Sequence, residues 1–266
     1  MRGGETRLGI IVIIAFIVFT GNNRPPLVDT PAPVEVTSQP STPVEANSAD
    51  AAPPVTPVSP APAVDAPVVA DARAQLAGLE VKGKAPKKDR PGGKFAYDRD
   101  LFGQAWSDDV TVPGGHNGCD TRNDILRSQL ADVVLKPGTH DCVVLSGTVT
   151  DPYSGDVIPF QRGKDTSSTI QIDHVVALAN AWQTGAFDWD ADTRRNFAND
   201  PLNLLAVRGD LNMQKKDGDA ATWLPPTGRC GYAMRQIAVK HVYGLWVTPA
   251  EKTALETQLD TCNTPS

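Results

Sequence analysis

A proton acceptor, a carboxylate and two neutral amides lie within one stretch of this chain. Asp173 and His174 end a short apolar run, Asn203 follows 29 residues after the histidine, and Asn212 follows 9 residues later. The chain has only four histidines. An imidazole can take a proton from water, and carboxylate and amide oxygens are ligands for hard divalent cations. The set therefore suits metal-assisted attack of water on a phosphodiester.

Three predicted elements must position these residues. The apolar pattern predicts a strand over residues 169–172 that ends at the Asp-His pair, a second strand over 203–207, and a helix that starts at Leu211. Together they form a ββα unit in which the end of the first strand and the start of the helix face one ion. We expect Asp173 and Asn212 to reach that ion from opposite sides, with the histidine beside it.

Composition divides the chain into unequal parts. Residues 22–80 contain no aromatic residue, and twelve of the 23 prolines lie between residues 24 and 70. Such a segment buries too little apolar surface to offset its ordering entropy, so residues 22–80 are predicted to be a disordered linker rich in proline and alanine. Residues 81–96 form a basic junction, and residues 97–262 form the folded domain.

The N-terminus has the features of an export signal. Arg2 and Arg7 precede an apolar run over residues 8–19, which is shorter than the roughly 20 residues that span a bilayer. Residues 1–21 are therefore a signal peptide or a membrane anchor. The domain is secreted, or it is anchored to the outer face of the cytoplasmic membrane by residues 8–20.

The four cysteines fit an oxidising compartment. Cys119 and Cys142 bracket a predicted helix and the return to a strand. Cys230 precedes one predicted helix and Cys262 ends the next, and the two ends meet in an antiparallel helical hairpin. We therefore predict disulfides 119–142 and 230–262.

Local signals define further elements. Asp120 or Thr121 can cap a helix whose apolar spacing runs from Ile125 to Val133. Residues 142–149 and 157–160 are predicted strands. The Thr-Pro-Ala-Glu sequence at residues 248–251 is a capping box with proline at the first helical position.

The charge balance does not by itself indicate a nucleic-acid-binding protein. The chain has a net charge of −6, whereas nucleic-acid-binding domains favour a basic surface. Residues 82–94 are the local exception, with six basic residues against one acidic residue. This segment is either a solvated junction or a flexible arm that contacts phosphates.

The ordered motifs resemble the HNH, or ββα-metal, endonucleases. More closely, the domain is similar to secreted bacterial HNH-family proteins related to the nuclease half of GmrSD-type restriction enzymes. The matching segments are residues 118–126, 146–153, 171–178, 197–207 and 221–226. The resemblance implies an α+β fold: a ββα-metal core embedded in a mostly helical single domain with short antiparallel strands.

The resemblance also implies a role for each motif residue. His174 is the general base, Asn203 holds the loop that aims it, and Asp173 and Asn212 bind one divalent ion. Oxygen ligands favour Mg²⁺ or Mn²⁺, and the other three histidines show no zinc-ligand spacing with the motif. The ion polarises the phosphate and stabilises the leaving 3′-oxygen, so that the product carries a 5′-phosphate.

The phosphate-binding side departs from the family pattern. Relatives read Lys-Gly-Asp after the last motif asparagine, whereas this chain reads Lys215-Lys216-Asp217-Gly218-Asp219. The shift leaves open whether Lys215 or Lys216 contacts phosphate. Arg162 and Lys164, just before the motif strand, are further candidates, with ordinary solvated loop charges as the alternative.

The sequence predicts an exported, metal-dependent endonuclease that hydrolyses DNA, with RNA as a further substrate class and no protein partner implied. The alternative is a non-catalytic extracellular module that binds nucleic acid or a cell-envelope ligand on the same scaffold. A third class, an Asp-His metallohydrolase acting on peptides or lipids, lacks a zinc-type ligand set.

Overall fold

Five short strands form two separate antiparallel sheets in the computed structural model, which describes residues 66–89 and 92–262. The predicted signal or anchor and the linker up to residue 65 lie outside these residues. The three-stranded sheet has the order β1-β2-β3, and β4 pairs only with β5. The strands are β1 Ala131–Leu135, β2 Val144–Thr150, β3 Val157–Gln161, β4 Ile170–His174 and β5 Leu204–Arg208.

Helices make up most of the remaining regular structure, as the sequence predicts for an α+β domain. No helix among the described residues is long and apolar enough to cross a bilayer. The helices are α1 Ala66–Gly78, α2 Thr121–Gln129, α3 Leu178–Gln183, α4 Ala191–Asn199, α5 Gly209–Lys215, α6 Arg229–Tyr243 and α7 Pro249–Asp260. Three short 3₁₀ turns cover Arg99–Phe102, Ala186–Asp188 and Pro201–Asn203.

The predicted helix starts are confirmed by their capping contacts. The Asp120 side chain accepts a hydrogen bond from the backbone N–H of Asn123 and opens α2. At α7, Thr248 and Glu251 form the reciprocal capping box, with proline in the first turn. Each cap satisfies backbone N–H groups that have no partner inside the helix.

The helical spacing predicted as far as Val133 is wrong at its end. Leu130 has extended backbone angles and stops α2, and Val133 lies in β1. Ala131 pairs with Thr148 of β2. Two consecutive β-branched valines pack well on a pleated surface, so pairing with β2 outweighs the local helical pattern.

Helix α1 lies inside the predicted linker, so the prediction of a disordered linker is wrong for residues 66–80. α1 packs against α6 and α7. Val69, Ala72, Leu76 and Leu79 are buried in one apolar cluster with residues of those two helices. Val69, Ala72 and Leu76 are three and four residues apart, which places them on one face of α1, and Leu79 follows directly after the helix. The proline-rich composition of residues 22–80 as a whole does not reveal this short run of apolar residues at helical spacing.

The basic junction is attached to the domain rather than free. Val81 forms a parallel bridge with Val247, and the backbone N–H of Ala85 donates to the Gln183 carbonyl at 2.8 Å. Aspartates of the domain neutralise three of its lysines. These pairs are Lys84–Asp219, Lys87–Asp217 and Lys94–Asp188. The interpretation as a flexible phosphate-contacting arm is therefore wrong for these lysines.

Both predicted disulfides are confirmed. Cys119 is bonded to Cys142, and Cys230 to Cys262, with no free cysteine among the described residues. The first links the start of α2 to the segment before β2. The second joins the start of α6 to the residues after α7, so the helical hairpin that receives α1 is cross-linked at its open end.

Truncating a buried residue of α1 tests whether this helix is part of the folded core. Leu76 is 2% exposed, whereas Val68 on the same helix is 49% exposed. We expect Leu76→Ala to lower the free energy of unfolding by about 2–5 kcal/mol, because it removes buried methyl groups and leaves a cavity. Urea unfolding measures this, with Val68→Ala as the control. Similar small effects of both variants would show that α1 does not stabilise the domain.

Candidate active site

The two side chains of the Asp173-His174 pair lie on opposite faces of the β4–β5 sheet. Successive residues of a strand point to opposite sides. Asp173 contacts Tyr153 and Lys215 on one side, and His174 contacts Ala198 and Trp106 on the other. The expectation of one ion beside both side chains does not match this arrangement. The site therefore has two separate parts.

The His174 ring is held by one hydrogen bond and one aromatic neighbour. Its Nε2 lies 2.8 Å from the carbonyl oxygen of Ala198, at the end of α4. A carbonyl oxygen only accepts, so Nε2 carries the proton and Nδ1 of the neutral ring is left as a proton acceptor. Trp106 lies nearly parallel to the ring, with centroids 5.9 Å apart. No described residue forms a hydrogen bond with Nδ1.

Burial keeps His174 neutral. The residue is 8% exposed. Desolvation lowers its pKa from 6.5 to about 3, against the opposing effect of the hydrogen bond to Ala198, and the positive charges of Arg99 and Lys215 lower it further. The imidazole is therefore uncharged at neutral pH, which is the form that a general base requires.

Asn203 fixes the chain that follows His174. Its Oδ1 accepts from the backbone N–H of Val176 at 2.8 Å, and its Nδ2 donates to the Val176 carbonyl at 3.2 Å. The backbone carbonyl of Asn203 also accepts from the N–H of Val175. Asn203 is fully buried at the end of the 3₁₀ turn Pro201–Asn203. These contacts are those of a residue that positions the His174 loop.

Asp173 belongs to a buried ionic network. One carboxylate oxygen accepts from Lys215 Nζ at 3.0 Å, and the other accepts from the Tyr153 hydroxyl at 2.5 Å. Lys215 also donates to the backbone carbonyl of His174 at 2.8 Å. Desolvation raises the pKa of Asp173, while Lys215 and Tyr153 oppose the rise. Every hydrogen-bonding contact of this carboxylate is thus to a donor within the protein.

The proposed metal ligands do not fit a divalent ion as they are arranged. Both oxygens of Asp173 are occupied, one of them by a buried ammonium group that would repel a cation. Asn212, one turn before Lys215 on α5, donates its amide to Gln171 at 2.9 Å and not to Asp173. Across residues 66–89 and 92–262, no group of three or more His, Cys, Asp or Glu side chains could hold a metal.

The predicted phosphate contacts separate into two groups. The Lys215 ammonium is not available to a phosphate in this arrangement, because its side chain is 0% exposed and paired with Asp173. The guanidinium of Arg162 is also engaged inside the domain, with the Val144 carbonyl and the Asn123 side chain. Lys164 and Lys216 are exposed but do not line the pocket beside His174. Their contact with phosphate stays a prediction.

A cavity of about 80 Å³ lies beside His174, and its volume is about 420 Å³ when the open solvent at its mouth is counted. Arg99, Phe102, Trp106 and Ala198 are among the residues that line it. Arg99 and Trp106 belong to none of the predicted motifs. No motif spacing relates these two residues to His174, because the fold brings them together from distant parts of the chain.

The comparisons with known proteins identify the family. The family model for the C-terminal domain of GmrSD restriction endonucleases matches residues 120–257, which is more than half of the chain. The chain belongs to this family. A relative in Arthroderma benhamiae, named "Uncharacterized secreted protein", is 36% identical over 200 residues, covering 74% of this chain and 87% of the relative. No solved structure gives a significant match.

Family membership agrees with part of the sequence-based resemblance. The matched family is one of restriction endonuclease domains, and its description does not specify the HNH type. The relative is a secreted fungal protein, whereas the resemblance named bacterial proteins. Secretion of this relative and the two disulfides place the protein outside the cytoplasm.

Acid should destabilise the domain through His174. An unfolded histidine with its ordinary pKa of 6.5 binds a proton well above the folded pKa of about 3, so the unfolded state gains protons first as the pH falls. The stability that neutral His174 contributes is present above pH 6.5 and is lost between pH 6.5 and 3.

Urea unfolding at pH 7.5 and pH 4.5 measures this effect. We expect wild type to lose on the order of 2 kcal/mol more than His174→Gln between the two pH values. The comparison with His174→Gln removes the contribution of the carboxylates, which both proteins share. Parallel pH dependences of the two proteins would contradict the assignment of a buried, neutral His174.

Removing Lys215 should lower the free energy of unfolding, because the buried Asp173 carboxylate would lose its counter-charge. We expect Lys215→Met to lower the free energy of unfolding by about 3–5 kcal/mol, because it leaves a buried charge without its partner. Adding Asp173→Asn to the same chain should restore part of this loss, which urea unfolding of the single and double variants measures. Additive effects of the two substitutions would rule out a coupled pair.

Proposed function

We propose that this protein is an exported nuclease that hydrolyses phosphodiester bonds of DNA, with His174 as the general base. The observation that carries the proposal is the state of His174 in a chain of the GmrSD C-terminal family. The ring is neutral, has its proton fixed on Nε2 by the Ala198 carbonyl, and lines a pocket that opens to solvent.

The proposed chemistry follows from the unprotonated Nδ1. A water molecule beside Nδ1 gives it a proton while its oxygen forms a bond to phosphorus, and the bond from phosphorus to the 3′-oxygen breaks. The products are a 5′-phosphate and a 3′-hydroxyl, whose proton comes from solvent. Ala198 keeps its hydrogen bond with Nε2 throughout, so the ring does not turn when it becomes positive.

The low pKa limits His174 in the free protein. A base with a pKa of about 3 accepts protons weakly at neutral pH, because an effective base has a pKa near the working pH. A bound phosphate places negative charge near the ring and raises its pKa. We therefore propose that His174 becomes an effective base only when substrate occupies the pocket.

The divalent ion that the resemblance implies remains a proposal for the assay to test. Asp173 and Asn212 would have to release Lys215 and Gln171 before they could bind Mg²⁺ or Mn²⁺. Such a rearrangement would also free the ammonium of Lys215. Metal titration of the purified protein tests this directly.

The Asp173–Lys215 ion pair favours a second candidate, a non-catalytic module. If this pair never opens, the protein keeps the scaffold of the family without the metal ligation that the resemblance implies. Such a module would bind nucleic acid, or a cell-envelope ligand, without turnover. It predicts binding that survives His174→Ala.

Plasmid nicking by the purified, secreted chain distinguishes the two candidates. The assay has parallel arms with Mg²⁺, Mn²⁺ and EDTA, and a second set with single-stranded RNA. We expect His174→Ala to lower the cleavage rate by a factor of about 10²–10⁴, the usual contribution of a general base. His241→Ala, an exposed histidine on α6, is the matched control and should cleave like wild type. Equal cleavage by wild type and His174→Ala would refute the catalytic role, and binding without cleavage in every arm would support the module.

A further inference from the structure

Arg99 stands apart from the other arginines that the structure describes. Within residues 66–89 and 92–262, every other arginine uses its guanidinium in a hydrogen bond or ion pair. The Arg99 guanidinium makes neither within these residues. An arginine with five unused donors in a planar fork is suited to a carboxylate or phosphate group.

The backbone of Arg99 is nevertheless fixed. It begins the 3₁₀ turn Arg99–Phe102, where the Asp98 side chain accepts from the backbone N–H of Asp100 at 3.0 Å. Phe102 is buried at the other end of the turn and packs against Trp182 and Phe197. The free guanidinium is thus carried by an anchored turn, so little backbone ordering is needed when it binds an anion.

Arg99 and His174 line the same pocket. The positive charge of Arg99 is near enough to contribute to the lowered pKa of His174. Among the residues that the structure describes, Asp100 is the only acidic side chain in the pocket lining. An anion that binds Arg99 therefore lies beside the proposed base.

Trp106 gives the pocket an aromatic wall. Its ring lies within 15° of parallel to the His174 ring and is half-buried. Its backbone has a φ of +59°, in the left-handed region, which is rare for a bulky side chain. Strained residues of this kind concentrate at binding sites, where the surrounding fold holds them.

We propose that this pocket binds one unpaired nucleotide, with its phosphate on Arg99 and its ring system against Trp106, so that the protein prefers single-stranded nucleic acid to duplex. The proposal rests on the proposed nuclease function for its link to cleavage, but the binding claim stands on the pocket alone. Aromatic faces bind bases of any sequence, and arginine supplies the phosphate contact.

Burial of His174 explains why the nucleotide should be unpaired. The residue is 8% exposed and lines the pocket, so a scissile phosphate has to enter the pocket to reach the ring. In a duplex, the nucleotides beside that phosphate are stacked and paired, and moving one into a pocket costs that free energy. A single strand has a flexible backbone and can place a nucleotide there without unpairing.

Fluorescence anisotropy with the full secreted chain tests the binding claim. The probes are a labelled 12-nucleotide DNA strand and the same strand in a duplex, in EDTA, with a gel to show that the DNA stays intact. We expect the single strand to bind at least tenfold more tightly than the duplex. Arg99→Gln should weaken single-strand binding on the order of tenfold, since it removes a charge-assisted phosphate contact. It should also reduce the slope of log affinity against log salt by about 0.7.

Arg73→Gln is the matched control. Arg73 is an exposed arginine on α1 that pairs with Asp260 and does not line the pocket. Its substitution therefore removes the same charge outside the proposed binding site. We expect it to leave single-strand affinity and salt slope unchanged. Equal losses in Arg73→Gln and Arg99→Gln would indicate nonspecific attraction and overturn the proposal, as would equal binding of single strand and duplex.

Variants of Trp106 test the aromatic contact separately. Trp106→Phe keeps an aromatic face and should retain single-strand binding within about threefold, whereas Trp106→Ala should lose on the order of tenfold. Because Trp106 also packs against the apolar cluster that contains Ile125, Phe160 and Ile172, the stability of both variants is measured by thermal unfolding alongside the binding data. Equal affinities of folded Phe and Ala variants would overturn the aromatic part of the proposal.

The cleavage and binding experiments together distinguish failure of the nucleotide pocket from failure of the proposed nuclease function. Cleavage that depends on His174 but not on Arg99 or strandedness would refute the nucleotide pocket and leave the nuclease intact. Arg99-dependent binding of single strands without cleavage in any metal would support the pocket and refute the nuclease.

Discussion

The buried ion pair between Asp173 and Lys215 is the interaction on which the centre of this fold depends. It joins β4 to the last residue of α5, and the hydrogen bond from the Tyr153 hydroxyl links the turn after β2 to the same carboxylate. Lys215 also bonds the His174 carbonyl, so one ammonium group fixes the backbone on which the candidate base is mounted. Removing either charge alone leaves the other buried without compensation, and that cost makes the network cooperative.

The alternation of side chains along β4 separates support from chemistry. Gln171 and Asp173 face α5, whereas Ile170 and Ile172 join the apolar cluster on the side from which His174 points. On the first face, the polar side chains form hydrogen bonds with one another. The second face places the His174 ring beside a pocket that Arg99 and Trp106 also line. Adjacent residues of β4 thus have different roles, because successive side chains of a strand point to opposite faces of the sheet.

The boundary of the domain lies further towards the N-terminus than composition suggests. α1 completes the core between α6 and α7, and the following segment is held by a backbone bridge to Val247 and by ion pairs of its lysines. The disulfide between Cys230 and Cys262 cross-links the hairpin that α1 covers. An exported protein gains from such cross-links because they limit the unfolded chain outside the cell.

Local patterns in the sequence are enough to predict the α+β class, the capped helices α2 and α7, the strands β2 to β5, and the disulfide pairs, whose cysteines bracket adjacent elements. Its ordered motifs also pointed to the family that the comparisons show. The contacts of the motif side chains, in contrast, arise only when distant elements pack together. Asp173 binds Lys215, and Asn212 binds Gln171, because α5 crosses one face of β4 in a register that no local spacing encodes. Arg99 and Trp106 reach His174 through packing of distant segments, and α1 is ordered by a surface that exists only after α6 and α7 have met.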